Sequence, residues 1–278
     1  EKIKMEDALL KSIENTEISV FYQPKVTAQE RKITGFEALC RWYHPELGFI
    51  SPAFFIPLSE ETGFIHKLGM HVIEESCKTL KWLKDTGYND TSCAINVSIA
   101  QLEHLDGKPL LSHIRNMISE YEIEPSLLEI EITESMAAKD FNLIKRHVET
   151  LRELGVVVSL DDFGTGESTL YRLKELNLNQ LKIDKAFVDD VCTERGKEVM
   201  QGIFTIAKAM HLTTVAEGVE DNFTIDSLIR MGCTIAQGYV FAKPMAKSEI
   251  LIWLNDWHKI HNIKIKNDKV HFLRHLFQ

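Results

Sequence analysis

Short apolar runs recur along the chain, each followed by a polar residue, a loop and a helical pattern. They cover residues 19–22, 33–39, 93–97, 128–132, 156–160, 181–183, 213–216 and 235–240. Most are too short for helices and too uniformly apolar for a sheet with one wet face, which suits strands buried on both sides. Between them lie helix signals. Ser51 reads as a cap, Pro52 takes the first helical position, and a helix over 53–59 follows. The stretch 67–85 puts Leu68, Val72, Ile73, Leu80 and Leu83 at helical spacing and ends at Gly87. The stretch 140–154 aligns Phe141, Ile144, Val148 and Leu151 on one stripe before Gly155. Residues 197–210 and 221–231 repeat the theme. Eight strands alternating with helices predict an α/β fold, a (β/α)8 TIM-like barrel over 1–257. An open doubly wound sheet would need a Gly-rich first turn, which is absent. The first two runs are joined without a helix, so the first strand is expected to be antiparallel. Residues 258–278 read as a basic amphipathic tail packed on the barrel or extending from it.

The 278 residues include 41 acidic and 32 basic side chains, a formal net charge of -9. Such a field repels phosphate, which excludes a general binder of nucleic acid or anionic membrane. A phosphate-bearing ligand would need placed Arg or Lys side chains or bound cations. No apolar stretch approaches the ~20 residues of a membrane span, so no membrane insertion is expected. The five cysteines, Cys40, Cys77, Cys93, Cys192 and Cys233, are never spaced C-x-x-C and read as reduced core residues of a cytoplasmic protein. The chain opens Glu-Lys-Ile-Lys, which points to an output domain natively preceded by sensor or regulatory domains.

The chemistry stands at the ends of the runs. Glu37 lies in the second, with Arg41 after it. Asn96 ends the third, Glu131 and Glu134 the fourth, and Asp161 and Asp162 the fifth. Lys182 and Asp184 belong to the sixth, Glu217 and Glu220 follow the seventh, and Gln237 lies in the eighth. In a barrel these ends converge on one rim, where active sites of this fold sit. Two carboxylates ~4 Å apart repel by about 4 kcal/mol at an effective dielectric of 20, so a cluster must be protonated or held by cations. A donor set of carboxylates and one amide, without His or Cys, selects Mg²⁺ or Mn²⁺ over Zn²⁺. Two such ions suit an in-line displacement at phosphorus, with Asp161 or Asp162 bridging them. Arg41 offers a phosphate fork and Lys182 a charge beside the attacking water. Two other readings stay open at this point: Asp161 as a helix cap, and Lys182 as a Schiff-base nucleophile.

The same residues fall in colinear segments that resemble the EAL-domain family of cyclic-di-GMP phosphodiesterases. Among them are Tyr22-Gln-Pro-Lys25, Glu37-Ala-Leu-Cys-Arg41, Ile95-Asn-Val-Ser98, Leu128-Glu-Ile-Glu-Ile-Thr-Glu-Ser135, Leu160-Asp-Asp-Phe-Gly-Thr-Gly166, Leu181-Lys-Ile-Asp184, Ala216-Glu-Gly-Val-Glu220 and Ala236-Gln-Gly-Tyr239. The resemblance implies a barrel with an inverted first strand that hydrolyses one phosphodiester bond of cyclic-di-GMP to linear pGpG. It implies two Mg²⁺ or Mn²⁺ ions, with Ca²⁺ inhibitory. The implied metal ligands are Glu37, Asn96, Glu131, Asp161, Asp162 and Glu217, and Lys182 acts with Glu37, Asp161 and Glu217 in catalysis. Gln23, Leu39, Arg41, Asn96, Asp184 and Gln237 are the implied substrate contacts, and Glu134 the anchor of the loop after Asp162. Every chemical position is filled, which favours an active enzyme over a non-hydrolytic receptor for the same nucleotide. Past Gly166 the chain departs from the family, reading Glu167-Ser-Thr-Leu-Tyr-Arg172. That region is the expected homodimer contact, and its charges predict salt-dependent association.

Overall fold

The computed structural model describes residues 2–164 and 170–261. Its strands are β1 (Ile18–Thr27), β2 (Ile33–His44), β3 (Gly48–Ile50), β4 (Ser92–Asn96), β5 (Leu128–Thr133), β6 (Val157–Phe163), β7 (Gln180–Ile183), β8 (Thr213–Ala216), β9 (Ile235–Gln237) and β10 (Met245–Ala246). Eight of them close a ring in the order β1-β2-β4-β5-β6-β7-β8-β9, with β9 returning to β1. These are the eight runs read from the sequence. Neighbours from β2 round to β9 are parallel, and β1 is antiparallel to both its partners. The backbone bond from Thr27 N–H to Lys32 O, 2.8 Å, closes the tight connection that forces this inversion. The short strand β3 folds back on the end of β2, and β10 adds to β1.

The helices form the outer layer because one stripe of each is apolar. In Ile65–Asp85 the buried side chains include Leu68, Val72, Ile73, Leu80 and Leu83. In Phe141–Glu153 they are Leu143, Ile144, His147, Val148 and Leu151, and the Asp140 carboxylate caps the helix by accepting from Leu143 N–H at 3.0 Å. Ser51 occupies the N-cap position of Pro52–Thr62 but makes no side-chain capping bond. Each fully buried Leu, Ile or Val contributes about 1.5–3 kcal/mol, so the shell between strands and helices carries most of the burial energy.

The barrel lumen differs from the expectation of uniformly apolar strands. Along β5, Leu128, Ile130 and Ile132 alternate with Glu129 and Glu131, and all five are buried. A strand has period two, so the aliphatic side chains face the helices and the two carboxylates face the lumen. Lys25, Ser159, Gln180 and Lys182 are buried there as well.

The helix Ile250–Ile260 runs through residue 258, where the tail was expected to begin. The rest of that tail, 262–278, lies outside the described residues, as does Glu167 of the expected dimer contact. Among the described residues no helix is long and apolar enough to cross a membrane. All five cysteines are unpaired. Cys77, Cys93 and Cys233 are core residues as expected, Cys40 is half-buried, and Cys192 is exposed, on a one-turn helix at the surface.

Candidate metal centre

Each parallel strand ends at the same rim and delivers one or two polar side chains to it. Lys182 on β7 stands at the centre, fully buried. Its Nζ lies 2.8 Å from Glu131 Oε2 on β5, 2.8 Å from Glu217 Oε1 just past β8, 3.1 Å from Asp161 Oδ2 on β6 and 3.7 Å from Glu37 Oε2 on β2. Four carboxylates from four elements therefore surround one ammonium. Glu37 is fixed from both sides: Asn96 Nδ2 donates to its Oε1 at 2.8 Å and Gln237 Nε2 to its Oε2 at 2.6 Å. Gln237 also donates to Gln23 Oε1 at 3.3 Å, and Gln23 in turn donates to the Ala242 carbonyl at 3.3 Å.

Asp161 and Asp162 are neighbours, and in a regular strand they would point to opposite faces. The pairing of β6 with β7 slips between Leu160 and Phe163, and Asp162 adopts φ +56°. This bulge turns both carboxylates toward the rim. Oxygens of Asp161, Asp162 and Glu217 lie within 4.8 Å of one another, close enough to share a metal ion. Gly164 follows at φ +98°, where a Cβ would meet the Phe187 ring at 2.3 Å, so only glycine fits the turn. Its N–H donates to Glu134 Oε2 at 2.8 Å, which ties this bend to the end of β5.

The electrostatics follow from burial and crowding. Burial disfavours the charge on Lys182, but Glu131, Glu217, Glu37 and Asp161 outweigh it and hold its pKa well above the ordinary lysine value. Burial raises Glu131 well above the carboxylate range, against the pull of Lys182 and with the push of Glu37 and Asp161. Burial likewise lifts Glu217 to about 8. Asp162 is raised by burial and then by Asp161 and Asp184. Burial works against the Glu37 charge too, yet Lys182 and the bonds from Gln237 and Asn96 win and lower its pKa.

The residues fit hard divalent cations. Neither oxygen of Glu131 accepts a hydrogen bond, and its approach to Lys182 lacks hydrogen-bond alignment. Such buried oxygens need a partner. Fully ionised, as cation binding would require, five carboxylates less one ammonium leave four negative charges, which two divalent ions would neutralise. All donors are oxygens, the set that Mg²⁺ and Mn²⁺ take.

The six expected ligands thus gather at one mouth, with Lys182 among them. Gln23, Leu39, Asp184 and Gln237 line the same cavity of about 400 Å³, together with Lys185, Glu220 and Tyr239. Asp184 also caps the next helical turn, accepting from Ala186 N–H at 2.9 Å. Arg41 is placed differently. It lines an adjoining groove of about 510 Å³, with Leu39 as the shared wall and Asn96, Pro52, Ile56 and Ser135 around it. Its guanidinium lies 5.8 Å from the Phe21 ring and donates to the Cys40 carbonyl at 2.9 Å. The sequence reading missed the buried set Lys25, Glu129, Ser159 and Gln180 below the site. The alternation Glu129-Ile-Glu131 was the available signal: if Glu131 faces the lumen, so does Glu129.

The EAL domain family profile matches residues 6–244. The chain is 36% identical over 252 residues to the bifunctional diguanylate cyclase/cyclic di-GMP phosphodiesterase MucR of Pseudomonas aeruginosa, covering 90% of this chain and 36% of that protein. It is 36% identical over 256 residues to the oxygen sensor protein DosP of Escherichia coli, covering 92% of this chain and 32% of the relative. The chain therefore spans about a third of the length of these curated relatives. Among solved structures, the PaMucR phosphodiesterase in complex with c-di-GMP aligns with a TM-score of 0.84 at 35% identity, covering 89% of this chain and 99% of that one.

Proposed function

The chain belongs to the EAL-domain family, and we propose that it is a metal-dependent phosphodiesterase that hydrolyses one phosphodiester bond of cyclic-di-GMP to give linear pGpG. The observation that carries this reading is the cluster of four carboxylates from four elements around Lys182, at the open end of the barrel. A bare cluster of this charge is a cation site, and hard cations at such a mouth serve chemistry at phosphorus.

Glu37, Asn96, Glu131, Asp161, Asp162 and Glu217 would hold two Mg²⁺ or Mn²⁺ ions. When bound, the ions supply Lewis acidity, neutralising phosphate charge and acidifying water. The side chains do the rest. Lys182 is a buried ammonium with no aligned hydrogen bond to the carboxylates around it, so it would orient a water by donating to it and offset charge that develops at phosphorus. Asn96 and Gln237 hold Glu37 in one rotamer, which fixes where a phosphate oxygen sits relative to Lys182. The adjoining groove, with Pro52, Ile56 and Ile65 in its walls, offers apolar contact for a nucleobase, and Arg41 a fork for the second phosphate.

Incubation of the chain with cyclic-di-GMP and Mn²⁺ is expected to yield pGpG on chromatography. Excess EDTA, replacement of Mn²⁺ by Ca²⁺, or Glu37→Ala is expected to stop turnover. Recovery of intact nucleotide with Mn²⁺ at every protein concentration would overturn the assignment and leave a nucleotide receptor. Insensitivity to EDTA, with borohydride trapping of a carbonyl compound on Lys182, would instead favour Schiff-base chemistry.

A further inference from the structure

Directly beneath the carboxylates lies a second set of buried polar side chains that touches neither the cavity nor the groove. Lys25 on β1 is 1% exposed and reaches across the lumen to β5, where its Nζ lies 2.5 Å from Glu129 Oε2. The other oxygen of Glu129 accepts from Ser159 Oγ on β6 and from Gln180 Nε2 on β7, and Gln180 Nε2 also reaches Ser159 Oγ at 3.2 Å. Four strands are thus tied to one carboxylate. Small residues flank it in the sheet: Lys25 pairs with Gly35 on β2, and Gly35 with Ser92 on β4. A Cβ at Gly35 would meet Ser92 Oγ at 2.1 Å and the Ser92 carbonyl oxygen at 2.7 Å.

The spacing relates this set to the centre above. Glu129 stands two residues before Glu131, Ser159 two before Asp161, and Gln180 two before Lys182, each pair on one strand and one face. On the inverted β1, Lys25 stands two after Gln23, and it pairs across the sheet with Gln237. Stability is weak ground for this arrangement. Burying an ion pair costs desolvation, and well-packed apolar residues of similar volume usually do as well or better.

We propose that Lys25, Glu129, Ser159 and Gln180 are positioning residues, a charged brace across the barrel that sets the heights at which Glu131, Asp161 and Lys182 meet. The brace rests on the reading of those residues as the cation-holding centre. Outer partners that orient metal ligands are worth about 10–100-fold in affinity or activity when removed.

The test is binding of Mn²⁺ alone to the whole chain, followed by calorimetry and by the electron paramagnetic resonance spectrum of the ion. Lys25→Met combined with Glu129→Gln removes both charges together and leaves neither unpaired. Ser159→Ala removes one hydrogen bond and no charge, and decides the matter if the double variant does not fold. The Kd for Mn²⁺ is expected to rise about 10–100-fold in the double variant and severalfold in Ser159→Ala, with melting temperatures close to the parent. On cyclic-di-GMP, kcat should fall in both while KM stays within about twofold, because neither residue set touches the cavity. Mn²⁺ affinity within about twofold of the parent in the folded variants overturns the brace, even where the melting temperature drops. If the parent binds Mn²⁺ but leaves cyclic-di-GMP intact, the assigned activity fails, and the Mn²⁺ comparison still decides the brace.

Discussion

Asp162 holds φ +56°, a left-handed conformation that a non-glycine residue adopts only where its surroundings enforce it. What enforces it is the bulge in β6 and the Gly164–Glu134 bond, and what it gains is a second carboxylate at the rim. No pattern of residue types announces a bulge, so the sequence could show two aspartates but not that both face one way. Arg41 marks the opposite limit. Its type suggests a phosphate fork, but not that it would line the adjoining groove rather than the metal cavity, with its guanidinium 5.8 Å from the Phe21 ring on the neighbouring strand. Titration at this scale is testable. Glu217 is lifted to about 8, so below that pH the metal-free site carries a proton that a cation must displace. Apparent Mn²⁺ affinity should therefore climb as pH rises from 6 toward 8, by up to about tenfold per unit for this one group. Calorimetry in buffers of different ionisation enthalpy should show protons released at pH 7. Equal affinity at pH 6 and pH 8 would count against the assigned protonation.

Among the elements, the strands were legible because their outer faces are aliphatic, and every one of the eight runs became a barrel strand. Their lengths were less so. The run at 19–22 stops where Gln23 begins, yet β1 continues to Thr27. The reading assumed an apolar lumen; here the lumen is polar, and Gln23 and Lys25 belong inside it. The same assumption hid the brace. The helices depend on the shell outside the barrel, and one of them separates packing from capping. In Phe141–Glu153, Ile144→Ala should cost about 2–5 kcal/mol through the cavity it leaves, whereas Asp140→Ala should cost about 1 kcal/mol through the lost cap. Urea unfolding measures both. A cap variant as damaging as the core variant would contradict the view that burial, not local bonding, holds this layer.

For the molecule as a whole, the gathered carboxylates are a cost that folding alone leaves unpaid. A cation that binds only the folded barrel stabilises it by about 2.7 kcal/mol at a hundred times its Kd. Mn²⁺ should therefore raise the melting temperature by several degrees, and Glu37→Ala, which removes a ligand, should blunt that rise. Scanning calorimetry with and without the ion is the check, and an unchanged midpoint would mean the cluster holds no cation. The inverted first strand has one further effect on the whole. Ile18 at its start pairs with Trp42, and Tyr43 N–H reaches the Glu17 carbonyl, both beyond Glu37 along β2. The backbone thus descends into the cylinder from the working end, and the helix Lys2–Lys11 is delivered to that end too. Had the strand run with its neighbours, the same segment would lie at the closed base. A substitution that displaces the amino-terminal helix is therefore expected to be felt beside the carboxylate cluster, not on the far side of the fold.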